Sequence, residues 1–182
     1  TPYRGYAEMC EFYEAVYRAI GSGRFPRGLP ADTDPDRYFQ VQCWHAYNFG
    51  GDPEVIRSGA EMVLRVMRRH GDGGKKVFIT EFGYHDSDFV KTRGMTKKQA
   101  DETQAAFFET DFKTFRSFEN IETVFLFRLY DWHAGPGIEI DFGLFTSPSS
   151  PEGIVPKAKG LKIYHMIKGE DADESVLYRY KK

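Results

Sequence analysis

The run "VFITE", Val77 to Glu81, places a carboxylate directly behind four strand-forming residues. A strand end of that kind is partly buried, where an unpaired carboxylate is costly, so the position favours a reactive role over that of a surface acid. The other unusual side chains also follow strands. His45 and Tyr47 close "RYFQVQCWHAY", Tyr84 follows Glu81, and Tyr130, Asp131 and Trp132 close "ETVFLFRLYDW". Imidazole and phenol groups can hydrogen-bond a carboxylate, and a tryptophan beside glycines in a loop offers a stacking face. Read alone, His45 is an ordinary hydrogen-bonded histidine. His85, Asp86 and Asp88 crowd one polar stretch without metal-ligand spacing and read as solvated loop, so no metal is expected. No Gly-rich phosphate loop is present, and no cofactor is implied.

These residues depend on the elements that carry them. "YAEMCEFYEAVYRAI" repeats apolar positions Met9, Phe12, Tyr13, Val16, Tyr17 and Ile20 at helical steps, giving a first helix within residues 1–20. The Gly-, Pro- and Asp-rich segment 21–37 reads as a linker. Residues 38–169 then alternate strand and helix three times. In the first strand Phe39, Val41 and Cys43 alternate with Gln40 and Gln42. Asp52 with Pro53 starts a helix whose buried stripe is Ile56, Val63, Val66 and Met67. A polar loop follows the second strand. Thr96 and Gln99, in capping-box spacing, start the longest helix, with Phe108, Phe112 and Phe115 on one face. The third strand, Glu122 to Tyr130, is apolar with little alternation, as for a strand covered on both faces. A long loop leads to a last helix in "VPKAKGLKIYHMIKG", and the tail 170–182 contains a possible short strand, Val176 to Tyr180.

Such alternation predicts an α/β fold with parallel strands and right-handed crossovers. Two architectures fit: an open parallel α/β sheet, or the C-terminal part of a (β/α)8 TIM barrel. A closed barrel needs eight strands and about 250 residues, so 182 residues make a single domain or a half-barrel. In either architecture all the C-terminal strand ends share one face, which brings Glu81, His45, Tyr47, Tyr84, Asp131 and Trp132 together. With 25 basic and 27 acidic residues, the chain has no electrostatic bias toward nucleic acid or anionic lipid, and neither is an expected partner. No apolar run approaches a membrane span. Cys10 and Cys43 lack zinc-site spacing and read as two buried, reduced thiols.

Three segments resemble one family. "VFITEFGYHDS" is similar to the segment of clan A retaining glycoside hydrolases in which the glutamate closing the seventh barrel strand is the nucleophile. "WHAYNFGGDPEVI" resembles the sixth strand and its helix, and "VFLFRLYDWHAGPGIEIDFGLFTSPSSPEGIVPKAKGLKIYHMI" the eighth strand through the final helix. The resemblance runs from about Tyr38 to Lys168 and implies the sixth to eighth strand-helix units. It implies Glu81 as nucleophile, His45 or Tyr47 positioning it, Trp132 as floor of a sugar subsite, and Asp131 at a sugar hydroxyl. The expected substrate is a carbohydrate, and export is the usual location of glycosidases that act on polymers. The family's acid/base glutamate follows an asparagine, and this sequence has no Asn-Glu pair. The expectation is therefore a glycosidase that is incomplete without an N-terminal barrel half, reached through that half or through self-association. The competing readings are a non-catalytic carbohydrate-binding half-barrel, and an open-sheet enzyme using Glu81 as general base.

Overall fold

A computed structural model describes residues 4–23, 32–48, 50–135 and 138–178, with side chains described outside 133–140. Helix α1 (Arg4–Gly21) is followed by β1 (Val41–His45), α2 (Pro53–Arg69), β2 (Lys76–Phe82), α3 (Asp86–Arg93), α4 (Lys97–Arg116), β3 (Ile121–Leu126), the short strands β4 (Trp132–Gly135) and β5 (Ile138–Ile140), and α5 (Ala158–Lys168). Both predicted helix starts are formed. Asp52 accepts from the Glu54 backbone ahead of Pro53, and Thr96 with Gln99 completes a reciprocal capping box.

Strands β1, β2 and β3 form a wholly parallel sheet in sequential order. Two right-handed crossovers advancing in one direction put their helices on the same face. The helices accordingly form one layer, with α1 against α2, α2 against α4, and α4 against α3 and α5. A doubly wound sheet would carry helices on both faces. The single layer is the arrangement of consecutive units of an α/β barrel, here three of them.

The core lies between sheet and helices. Val77, Ile79 and Phe82 of β2 are buried against Ile56, Val63, Val66 and Met67 of α2 and Phe108 and Phe115 of α4. The Phe82 ring meets Phe108 at 5.3 Å and Phe115 at 5.1 Å, both edge-on. The predicted stripe of α2 is buried throughout, whereas the face of α1 is rotated. Tyr6, Tyr13, Tyr17 and Ile20 are buried there, while Phe12 is exposed.

Several expectations are corrected. β3 is covered on one face only: none of its residues is buried, and Phe125 is half exposed. An apolar run without alternation therefore did not mean two covers. In β1 the alternation is real, but Gln42 and Trp44 face the helices while Cys43 is exposed. The two cysteines are free and neither is fully buried. The polar loop after β2 contains α3, the long loop after β3 contains the antiparallel pair β4 and β5, and the tail forms a 3-10 turn at Glu174–Tyr178 over the first part of the expected strand, residues 179 and 180 lying outside the described residues. Among the described residues no helix is long and apolar enough to cross a membrane.

One polar group is set inside this core. The Tyr84 hydroxyl donates to the Asp111 carboxylate, and both residues are fully buried. Burial pushes the Asp111 carboxyl up to about 6 from 3.8, although hydrogen bonds from Tyr84 and Asn48 favour its anion. A folded-state value above the unfolded one means that the native state holds this proton more tightly. The contribution is full below the unfolded value and is lost as pH rises through about 6. Stability should fall by about 2 kcal/mol from this group between pH 4 and 7. Asp111→Asn should flatten that slope in urea melts recorded across the interval.

Candidate functional site

The strand register brings Glu81 to His45. Their Cα atoms pair across β1 and β2 at a register shift after Trp44, and the Ala46 amide donates to the Glu81 carbonyl at 3.0 Å. That shift lets the chain turn Tyr47 back over the carboxylate. The Tyr47 hydroxyl donates to Glu81 Oε2 at 2.7 Å, and His45 Nδ1 lies 3.3 Å from the same oxygen. Burial, reinforced by the Glu81 anion, raises the Tyr47 phenol well above its ordinary value, so it stays a donor. Oε1 of Glu81 has no hydrogen-bond partner among the described residues. About one third of the side chain is exposed, so the free oxygen faces accessible space.

An aromatic wall runs from this carboxylate along the strand ends. The Tyr47 ring meets Phe142 at 5.8 Å, and Phe142 meets His85 at 4.8 Å and Phe127 at 5.5 Å. The Arg128 guanidinium lies 5.7 Å from the Phe127 ring centre and 5.5 Å from that of Trp132, which is 48% exposed. The indole of Trp132 is half exposed, with the Arg128 guanidinium over its ring.

Two residues expected in this group stand elsewhere. Tyr84 is turned into the core, fully buried, with its hydroxyl on Asp111. Asp131 accepts from Lys157 Nζ at 3.0 and 2.9 Å and from the Gly143 amide at 2.8 Å, so its oxygens are occupied by the protein. The corrections share a cause: a residue next to a strand end in sequence follows the backbone turn, and both turns here point inward. Phe127 and Phe142 went unnoticed because each sits in an apolar or Gly-rich run with nothing in its spacing to separate wall from core.

The stretch read as solvated loop is in part buried and tied by ion pairs, although Asp88 stays half exposed. Asp86 is buried at the start of α3, with Oδ2 2.5 Å from Lys157 Nζ and Oδ1 2.6 Å from Lys159 Nζ. Lys159 is fully buried and also donates to Gln104 at 2.9 Å and to the carbonyls of Tyr84 and Asp141. Burial lowers its ammonium pKa and Asp86 only partly opposes this, whereas Asp86 and Asp131 outweigh burial at Lys157 and raise it. His85 Nε2 lies 2.9 Å from Asp141 Oδ1, and Ser87 donates to the other oxygen at 2.8 Å. Among the described residues no group of three His, Cys, Asp or Glu side chains could hold a metal.

No family model and no curated protein matches the chain. Among solved structures it is similar to two of a beta-glucuronidase from Ruminococcus gnavus. One matches at 18% identity and TM-score 0.46, covering 90% of this chain; the other at 19% and 0.45, covering 84%. In each case the chain spans 29% of the length of that structure.

Two substitutions test how the site is held. A Cβ at Gly83 would lie 2.1 Å from the Phe127 carbonyl oxygen, so Gly83→Ala must push the ends of β2 and β3 apart. It should cost about 1–3 kcal/mol in urea melts. Gly74→Ala meets nothing within 4 Å and should be close to neutral. Asp86→Ala removes the one carboxylate paired with the fully buried Lys159 ammonium, while Lys157 keeps Asp131, and should cost about 3–5 kcal/mol in the same assay.

Proposed function

We propose that this chain carries the nucleophile side of a retaining glycoside hydrolase site, with Glu81 as the attacking carboxylate. The supporting observation is the Glu81 carboxylate itself: one oxygen is held by Tyr47 and His45, and the other is unengaged and open. In this reading Oε1 attacks the anomeric carbon from one face of the sugar while the leaving oxygen departs from the other. Tyr47 and His45 fix the carboxylate rotamer, so little orientation remains to be found in the transition state. The apolar faces of the sugar ring rest on Trp132 and the neighbouring rings, and Phe82 and Gly83 turn the chain away beneath Glu81.

A retaining pair needs a second carboxyl group about 5–5.5 Å from the first, to protonate the leaving oxygen and later to activate water. We place that acid on a polypeptide segment outside this sequence. Both outer edges of the sheet, on β1 and β3, are unpaired among the described residues, and the face opposite the helices bears Cys43, Phe78 and Phe125. Open edges with an apolar face are an association hazard in isolation. The proposed partner is the N-terminal part of a barrel, or a second copy of this chain that closes the sheet.

The test uses 2,4-dinitrophenyl glycosides, whose leaving group needs almost no protonation. A panel of sugars should include one that releases dinitrophenolate in a burst equal to the protein present and leaves a glycosyl mass on Glu81. Glu81→Gln should abolish both signals. Tyr47→Phe should slow the burst roughly tenfold, the loss of one charge-assisted hydrogen bond. Binding of sugars with no adduct on any glycoside would favour a non-catalytic carbohydrate-binding module. Light scattering checks the partner: self-association is expected, and a monodisperse monomer with one cooperative melt would exclude it.

A further inference from the structure

The residues that hold Glu81 alternate along the chain with a second, buried set. Trp44 precedes His45, Asn48 follows Tyr47, and Tyr84 closes the turn that starts at Glu81; Trp44, Asn48 and Tyr84 are all buried. Each segment that shows a side chain to the mouth thus turns another toward the helices.

The buried set converges on Asp111 of α4, a fully buried carboxylate to which the reading of Glu81 gives no part. The Tyr84 hydroxyl donates to Asp111 Oδ2. The Asn48 side chain, which donates to the Asp52 carbonyl at 2.8 Å, lies close enough to favour the Asp111 anion. One carboxylate therefore serves both the turn after β1, which carries Tyr47, and the turn after β2, which starts at Glu81. The same two turns are joined by the Ala46 amide on the Glu81 carbonyl. The titratable groups that act on Asp111 are Tyr6 of α1, Asp52 ahead of α2, and Tyr84. Burial holds both phenols well above their ordinary range, so neither changes charge near neutral pH. Asp52 caps α2 through the Glu54 amide and adds repulsion.

We propose that Asp111 is a positioning residue for the Glu81–Tyr47 pair: its anion ties the turn after β1 to the turn after β2, and protonation loosens the tie and slows attack by Glu81. This rests on the reading of Glu81 as a nucleophile. Hydrogen bonds to an ionised acceptor are roughly twice as strong as those to a neutral one. On protonation, Tyr84 and Asn48 meet a neutral acceptor that brings its own buried O–H, and the turns lose their common anchor. Burial moves this change up to about pH 6. The holding form is the anion, so the tie is present above that pH and is lost as pH falls through it. The contribution of Asp111 to stability runs the other way, since burial favours the neutral acid.

Two readouts test this. The first is the dinitrophenolate burst from whichever glycoside of the panel reacts, followed from pH 5 to 8. The wild-type rate constant should rise through an inflection at about 6. Asp111→Asn should remove the inflection and run roughly fivefold below wild type at pH 7.5, the difference between a charged and a neutral acceptor. Tyr84→Phe takes away a donor that favours the anion and should move the inflection to higher pH. Ile56→Val, which thins the core on α2, should leave it in place. The second readout needs no sugar: hydrogen exchange of the Ala46 amide, taken as protection relative to the Val63 amide within α2. That ratio should climb over the same interval in wild type and stay level in Asp111→Asn. An inflection that persists in Asp111→Asn, as it would if His45 set it, or an Ala46 ratio that does not change with pH in wild type, would overturn the proposal. If Asp111→Asn fails to fold, an exchange step left unmoved by Tyr84→Phe does the same. An exchange step abolished by Asp111→Asn in a chain that reacts with no glycoside would support the tie and overturn only the role given to Glu81.

Discussion

The architecture of the site end depends on the Asp86 carboxylate, which is shared by two ammonium groups from one short stretch. Lys157 and Lys159 flank Ala158 at the start of α5, and both reach Asp86 at the start of α3. Two buried charges and a third that is mostly covered cannot be arranged cheaply, since each loses much of its hydration. The remaining donors of Lys159 are met by Gln104 of α4 and by the carbonyls of Tyr84 and Asp141. Lys157 reaches on to Asp131, and Asp141 gathers Ser87 and His85. The segments after β2, after β3 and before α5 are therefore tied at one point. Their positions are set by a geometry that tolerates little sliding, because any displacement would strand a buried ion.

The sheet above this point has the opposite character. Its helical face is packed with Val77, Ile79, Phe82 and Trp44, while the other face carries the exposed Cys43, His45 and Phe125. In a closed barrel that second face is the interior, filled by side chains from alternate strands. Three strands with one layer of helices bury half of what such a sheet can bury. The helical side alone supplies one contiguous core, centred on Phe82 and its aromatic neighbours, and the site end is clamped separately by the ion network. The loops that form the site are thus fixed independently of whatever covers the open face.

The order of elements, the parallel sheet and the helix starts were legible in the sequence because each rests on a local rule. A capping box acts within four residues, and a stripe such as Ile56, Val63 and Met67 needs only helical periodicity. Glu81, His45 and Tyr47 were legible as a group because parallel topology brings strand ends together. What was not legible depends on direction. Tyr84 and Asp131 follow strands as Tyr47 does, yet their turns aim them at Asp111 and Lys157, partners distant in sequence. Asp86 looked solvated because a charged residue usually is. Only the convergence of Lys157 and Lys159 makes its burial tolerable, and no spacing announces that. For β3, apolar composition recorded two faces suited to burial, of which the described chain covers one.

Among the acids at this end of the sheet, the partner decides the role. Asp86 and Asp131 face ammonium groups, and a carboxylate bound by a buried cation has its electron pairs committed and its charge compensated. Such an acid fixes structure but makes a poor nucleophile. Glu81 is held by a phenol and an imidazole at a single oxygen. A Tyr47 hydroxyl kept protonated by its raised pKa orients the carboxylate without supplying a formal positive charge. The second oxygen retains its lone pairs, on the side of the sheet that the helices leave open. The same contrast holds for cations. Lys157 and Lys159 are enclosed by aspartates and serve the frame, whereas Arg128 is set between two rings that polarise toward its charge without neutralising it. Glu81 and Arg128 stand apart from the Asp86 network among the described residues, and a run of aromatic rings lies between them.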